Sequence, residues 1–291
     1  MNKKQGYQGF RKFSIKTRLV IALLLISIIP LAGISGYSFH IFSVALREKL
    51  SASISQTLSM INLNMVSEIE KYQYLCGSIC ISEEIKDGLL NKDMSDIEKN
   101  QAINEIQSMI RTKIIYPAQA KNITVYDTDG NIFYDLGYDG FYQNDVDMLL
   151  DRLRQENQDV WAYVHTYRDR DILVLGRRIY EQYSESRVIG YTLISIDEKI
   201  FSKTVLEPVG LADSSNIMYM NMDGTVLSSW DRNIALGEKV DSEFLKNIQQ
   251  KLPSRTDSFS IHKDGEEQLV TYIFNKNLNQ LFVYTMPYHY I

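Results

Sequence analysis

The sequence is short of the residues that usually advertise chemistry. It has two cysteines in 291 residues, Cys76 and Cys80, and four histidines, His40, His165, His262 and His289. Two cysteines one helical turn apart give no disulfide framework and too few ligands for a closed zinc site. A bond between them inside one regular helix is sterically poor, because the Cβ vectors do not point at each other. They read as a pair of buried small apolar side chains. No Gly-x-Ser-x-Gly, His-Glu-x-x-His or Gly-rich phosphate loop occurs, which removes the common hydrolase and nucleotide-binding readings. No cofactor, metal site or catalytic residue is expected.

Charge is also missing from one long stretch. Between Arg18 and Arg47 there is no Asp, Glu, Lys or Arg. The run Leu19–Phe42 exceeds the roughly 20 apolar residues that span a bilayer and is longer than the core of a signal peptide. It is expected to be an uncleaved transmembrane helix. Pro30 inside it is tolerable in lipid, where neighbouring groups re-satisfy the freed carbonyl. No second long apolar run follows. Before the span stand Lys3, Lys4, Arg11, Lys12, Lys16 and Arg18, with no acid. That flank predicts a cytoplasmic N-terminus, with residues 43–291 on the outer side of the membrane. The other 25 basic and 36 acidic residues leave a balance of −11, which argues against nucleic acid as a partner.

What is present begins with a stripe. Leu46, Leu50, Ile54, Leu58, Ile61, Met65, Ile69, Tyr72, Cys76 and Ile79 recur at spacings of three or four, the period of an α-helix. From residue 43 to 80 such a helix would extend roughly 55 Å. Its length predicts either packing along two modules in turn or pairing with the same helix of a second chain. Two shorter helices are expected across 82–115. Ser95 and Glu98 form a capping box for the second, Ile103, Ile106, Ile110 and Ile114 give it an apolar face, and Tyr116-Pro117 ends it.

From Asn122 the texture turns to β. Strand, Asp129-Gly130 turn and strand are followed by a helix over 145–156 and three strands over 160–166, 172–181 and 188–196, then a short helix through Val205. The order then recurs. A second Asp-Gly turn, Asp223-Gly224, lies 94 residues after the first, followed by a helix over 242–251 and strands over 257–262, 268–274 and 281–286. An Asp-Gly turn is common, but a repeated β-β-α-β-β-β order is a strong sign of duplicated modules. Met218, Met220 and Met222 alternate along one strand and share a face, the core of the second module.

This layout resembles the double Cache sensor domains of bacterial receptors: one span, a long outside helix and two PAS-like modules. FSIKTRLVIALLLISIIPLAGISGYSF, with its internal proline, looks like the start of YesM-type sensor histidine kinases. VIGYTLISIDEKIF (Val188–Phe201) is similar to the last strand and turn of a membrane-distal Cache module, and LFVYTMPYHYI to the stretch before a second span. The resemblance implies an α+β chain. Its parts are a basic tail (1–18), a transmembrane helix (19–42), a signalling helix with helical lead-in (43–118), a membrane-distal module (119–205) and a membrane-proximal module (206–291). It implies the ligand-sensing part of a two-component histidine kinase, without the kinase half that would carry catalysis and meet a response regulator. It also implies a parallel homodimer. The alternatives are the sensor of a chemoreceptor or diguanylate cyclase, or a standalone membrane-anchored binding protein.

The resemblance puts the ligand, a small organic molecule with sugar-related compounds among the family contexts, in the distal module. Tyr126, Trp161, Tyr163, His165, Tyr180 and Asp197 are the candidate contacts. Trp161, Tyr163 and His165 share one strand face, and aromatic walls suit a small polar organic ligand. In amine-binding double Cache domains an Asp at the place of Asp197 meets the ligand's ammonium, although Asp197 before Glu198 also reads as a helix N-cap. The Arg-x-Trp-Tyr motif of that subset is not matched by Asp159-Val160-Trp161-Ala162. Arg168, Arg170, Arg177 and Arg178 could instead serve an anion.

Overall fold

The computed structural model describes residues 14–91, 94–113, 120–137, 140–167, 171–181, 187–206, 215–231, 233–251, 256–263, 265–276 and 278–287. The basic residues up to Lys12, the expected helix stop at Tyr116-Pro117, Arg168, Arg170 and the segment 288–291 lie outside them.

Helix α1 runs Ile15–Ile81 and contains Pro30. The chain divides into two compact units, one holding residues 1–53 and the other 54–290. In the first unit, Ile15–Leu46 is long and apolar enough to cross a membrane, and none of its most apolar window is buried within the protein. In the second unit the same helix presents a stripe that is shielded from solvent. Leu58, Met65, Ile69, Tyr72, Leu75, Cys76 and Ile79 are all at most 1% exposed. The expected three-and-four spacing is therefore a packing face from Ile54 onward.

Helices α2 (Glu83–Leu90) and α3 (Asp96–Lys113) follow. Ser82 caps α2 through its hydroxyl, which accepts from the Ile85 N–H. The capping box of α3 is formed: the Ser95 N–H donates to Glu98 Oε2 at 2.8 Å, and the Glu98 N–H donates back to Ser95 Oγ at 3.4 Å. The Ser95 N–H, joined by the Ser95 hydroxyl, which donates to the same Oε2 at 2.8 Å, holds the Glu98 carboxyl below its ordinary value. Ile106 and Ile110 are buried, as their spacing requires.

The first module comprises β1 (Ala120–Asp127), β2 (Ile132–Leu136), α4 (Gln143–Gln155), β3 (Val160–His165), β4 (Asp171–Tyr180), β5 (Val188–Asp197) and α5 (Glu198–Val205). Its antiparallel sheet has the order β2-β1-β5-β4-β3. The second comprises β6 (Asn216–Asn221), β7 (Val226–Ser229), α6 (Ser242–Gln249), β8 (Thr256–Lys263), β9 (Glu266–Asn275) and β10 (Gln280–Pro287), ordered β7-β6-β10-β9-β8. The two orders are the same, strand for strand. In each module the last strand lies in the middle, between the first and the fourth. Met218 and Met220 lie in the second module's core with Met222 packed against it, as their alternation requires.

In each sheet one face carries the module's own helix, because strand side chains alternate between faces. Under α4 lie Val160, Ala162, Val164, Ile172, Val174, Tyr191 and Leu193. The other face meets α1 and α2. Arg177 reaches across to α1: its Nε and Nη2 donate to the Asp159 carboxylate at 2.6 and 2.5 Å, and Nη1 donates to the Gln73 carbonyl at 3.3 Å. Gln73 Nε2 donates to the same carboxylate at 3.2 Å. The two modules meet through α5 and β7. Glu198 is fully buried and accepts from Ser228 Oγ at 2.6 Å, while the Phe201 ring sits 6.4 Å from Tyr219.

Candidate ligand site

Strand register divides the helix-covered face of the first sheet into rows. Tyr126 pairs with Tyr191 and that with Arg178; Thr124 with Leu193 and Gly176; Asn122 with Ser195 and Val174; Asp197 with Ile172. The rows under α4 are filled by Val146, Leu149, Leu150 and Leu153, all at most 4% exposed. Toward β1 the face turns polar. Asn122, Thr124 and Ser195 are buried there. The Thr124 hydroxyl donates to Asp135 at 2.8 Å, Asn122 packs against Gly137, and Ser195 Oγ has no partner among the described residues. A buried hydroxyl without a partner is unusual and asks for an explanation.

The six sequence-predicted residues do not line one cavity. Tyr126 and Asp197 share the α4 face but stand six residues apart along β5, roughly 20 Å. Tyr126 is 4% exposed. Its hydroxyl is pushed up to about 12, first by burial and then by the Asp135 charge, so it stays neutral at physiological pH. Asp197 caps α5: Oδ1 accepts from the Ile200 N–H at 3.1 Å, and Oδ2 lies 3.8 Å from Lys121 Nζ. The cap therefore leaves the second oxygen turned to a cation.

Trp161, Tyr163 and His165 do share a face of β3, the one opposite α4. They look toward the second module. Trp161 and Tyr163 line a cleft of about 540 Å³ with Asn221, Thr225 and Asn279. The Trp161 Nε1 is buried with no partner among the described residues. The Tyr163 hydroxyl donates to Asp171 at 2.6 Å, with His165 Nδ1 3.3 Å from the same hydroxyl. Tyr180 lies elsewhere again, near Lys86, Asn157 and the Arg177 network. Arg177 and Arg178 are engaged within the protein, Arg178 donating from Nη1 to Asn157 at 2.9 Å. Cys76 and Cys80 are buried and free. Burial, then the hydrogen bond with Cys80, raises the Cys76 thiol well above its ordinary value, which makes it a poor nucleophile.

A cavity of about 680 Å³ lies in the second module, on the α6 face of the sheet. Its floor includes Asn216, Thr285 and Gln268. Asn216 pairs with Thr285 as Asn122 pairs with Ser195. The shift of 94 residues that superposes the two Asp-Gly turns also superposes the two asparagines. That signal was available in the sequence and points to a polar patch repeated in both modules.

No family model and no curated protein matches the sequence. The structure is similar in shape to solved sensor domains. It is similar to the sensor domain of the histidine kinase DctB from V. cholerae (TM-score 0.53, 12% identity), over 82% of this chain and 98% of that one. It is similar to the ligand-binding domain of the Campylobacter jejuni chemoreceptor Tlp3, solved in complex with L-valine (TM-score 0.54, 13% identity), over 84% and 96% of the two chains. The extracellular domain of the histidine kinase candidate rpHK1S-Z16 superposes with TM-score 0.56 at 14% identity, over 82% and 96%. Two five-stranded modules of identical strand order follow the long helix of this chain, and over the matched region it has the double Cache fold of these sensor domains.

Proposed function

We propose that the chain is the extracytoplasmic sensory region of a membrane receptor, of the histidine-kinase kind, with its N-terminus in the cytoplasm. It binds a small organic molecule in the first module and passes the change on through α1. The observation that carries this reading is the Asp159–Arg177–Gln73 network. It ties the ligand-bearing sheet to the helix whose earlier part is able to cross a membrane. The site is the polar end of the α4 face, where the unpartnered Ser195 hydroxyl and Asn122 lie one row from Asp197. Asp197 Oδ2 meets the ligand's polar group there, and Trp161 and Tyr163 act at the module junction. A ligand shifts such an equilibrium only by its differential affinity for two arrangements of sheet and helix.

The reading includes a parallel homodimer. Met60, Leu63, Tyr74 and Ile81 are all more than 60% exposed, and their spacings of 3, 11 and 7 residues keep them on one side of α1. A chemoreceptor output is the second reading, supported by the likeness to the Tlp3 domain.

The test is a thermal-shift and calorimetric screen of the full chain in nanodiscs against amino acids, sugars and organic acids. A compound that raises the melting temperature, and loses its effect in Asp197→Ala and Ser195→Ala, supports the first-module site. Binding indifferent to both substitutions removes it.

A further inference from the structure

We infer that the second module holds a ligand site of its own, selective for a hydroxylated organic amine, the class of amino-alcohols and amino-sugars. The cavity of about 680 Å³ on the α6 face falls in the size range of small-molecule pockets. It exists because α6 is short. Only Ile248 of its eight residues is fully buried, and the pair Asn216–Thr285 and the neighbouring pair Pro287–Gln268 border the cavity instead of being covered by the helix.

The floor supplies a donor that the protein leaves unused. Asn216 is 8% exposed. Its Oδ1 accepts from Ser229 Oγ at 3.2 Å and from the Asp231 N–H at 2.9 Å, which fixes the amide's orientation. Its Nδ2 makes no hydrogen bond among the described residues, and the side chain lines the cavity. A nine-tenths buried amide donor facing open space calls for an oxygen acceptor on an occupant. Gln268 and Thr285 add further hydroxyl-binding groups beside it.

The walls set the charge. Asp231, Glu238, Asp241 and Glu243 line the cavity against a single lysine, Lys239, which is held by Asp223 at 3.0 Å. His262 is exposed at the rim. The excess of carboxylates opposes an anion and favours an ammonium. Met218, Val226, Ile234 and Phe244 give the apolar surface that a ring or carbon chain covers. Oxygen acceptor, positive charge and a compact apolar body together describe the class. This site is separate from the one proposed in the first module, where Asn122 occupies the position of Asn216.

The experiment titrates the full chain in nanodiscs with three probes that share a ring and differ in charge: glucosamine, glucose and glucuronate. Saturable binding is expected in the order glucosamine, then glucose, with none for glucuronate. Asp231→Asn and Glu243→Gln keep shape and remove charge. Each is expected to weaken glucosamine about tenfold, the loss of one charge-assisted contact, and to leave glucose unchanged. Gln268→Leu is expected to weaken both. Asp197→Ala is expected to leave all three titrations as they were, which separates this site from the first-module one. The inference is overturned by glucuronate binding as well as glucosamine, by no saturable binding of glucosamine, by glucosamine affinity unchanged in both charge variants, or by its loss in Asp197→Ala.

Discussion

The two modules are one topology used twice, with opposite results on the helix-covered face. In the first, α4 has 13 residues, and Val146, Leu149, Leu150 and Leu153 fill the space above the sheet. In the second, α6 has eight, and one fully buried side chain stands where four do in the first. The strand order and the register around Asn122 and Asn216 are the same. Topology therefore fixes where a cavity can lie, and roughly one and a half turns of helix decide whether that place is core or pocket. The first module also carries something the second lacks, an Arg–Asp clamp on α1. Through equivalent register, Arg177 corresponds to the apolar Ile273.

The sharpest way to break the comparison is to empty the filled face. Leu149 is fully buried under the first sheet's core. Leu149→Ala should destabilise the chain by about 2–5 kcal/mol, the range for a buried leucine that leaves a cavity. Leu245, a half-buried leucine on α6, should lose only about 1 kcal/mol on substitution by alanine, since part of its surface is already wet. Urea unfolding of both variants measures this. Equal losses would mean that the second module is as tightly filled as the first.

The next effect falls on the clamp. The Arg177 and Asp159 side chains are 29% and 18% exposed, so the pair is partly screened. Arg177→Met should cost about 2 kcal/mol, below the range for a fully buried pair broken on one side. Asp159→Asn in the Arg177→Met background should add little, since the charge it leaves behind is then removed. Amide exchange should rise around Gln73 and not in β6 to β10. A rise spread over both modules would show that the clamp is not local to α1.

Much of this comparison was legible beforehand. Period-two alternation and the Asp-Gly turns located all ten strands to within a few residues, because those signals are local. The three-and-four stripe located the buried side of α1, and the capping box located the start of α3. Strand order was not legible, because pairing β5 between β1 and β4 depends on contacts across the whole module. For the same reason the six candidate residues scattered. Alternation placed Trp161, Tyr163 and His165 on one face of β3, but it could not say that this face looks away from Tyr126 and Asp197. The cavity escaped too. An apolar pattern over 242–251 reads as a helix with a buried face, while the length of sheet it leaves bare follows from tertiary fit.

A finer contrast lies in the turns. Gly130 and Gly224 both sit at positive φ, 90° and 86°, so an alanine at either is strained by about 1 kcal/mol. They differ in clearance. A Cβ at Gly224 would meet Leu245 and Val240 at 3.0 and 3.2 Å, whereas at Gly130 it would meet only Leu150, at 3.5 Å. Gly224→Ala should therefore lower the melting temperature more than Gly130→Ala. The reverse order would show that α6 yields more readily than α4.

The smallest effect is in acid, and it sets the same two turns against each other. Burial alone would raise the Asp127 carboxyl, but the Asn131 side chain, with the N–H groups of Asn131, Asp129 and Gly130, holds it below the usual carboxylate range. Asp223 is likewise raised by burial and then carried below its ordinary value by Thr225 and Lys239. A depressed folded value means that each contributes stability above its unfolded value, near pH 4. That contribution is lost as pH falls through the folded value. Urea midpoints followed from pH 5 down to pH 2 should therefore decline, and Asp127→Asn and Asp223→Asn should each flatten the decline. The two turns are distinguished by Lys239→Met, which removes a support that only Asp223 has. It should flatten the slope in the wild-type background and do nothing further once Asp223 is already asparagine. A full effect of Lys239→Met in both backgrounds would mean that the lysine acts through the carboxylates of the second-module cavity rather than through the turn.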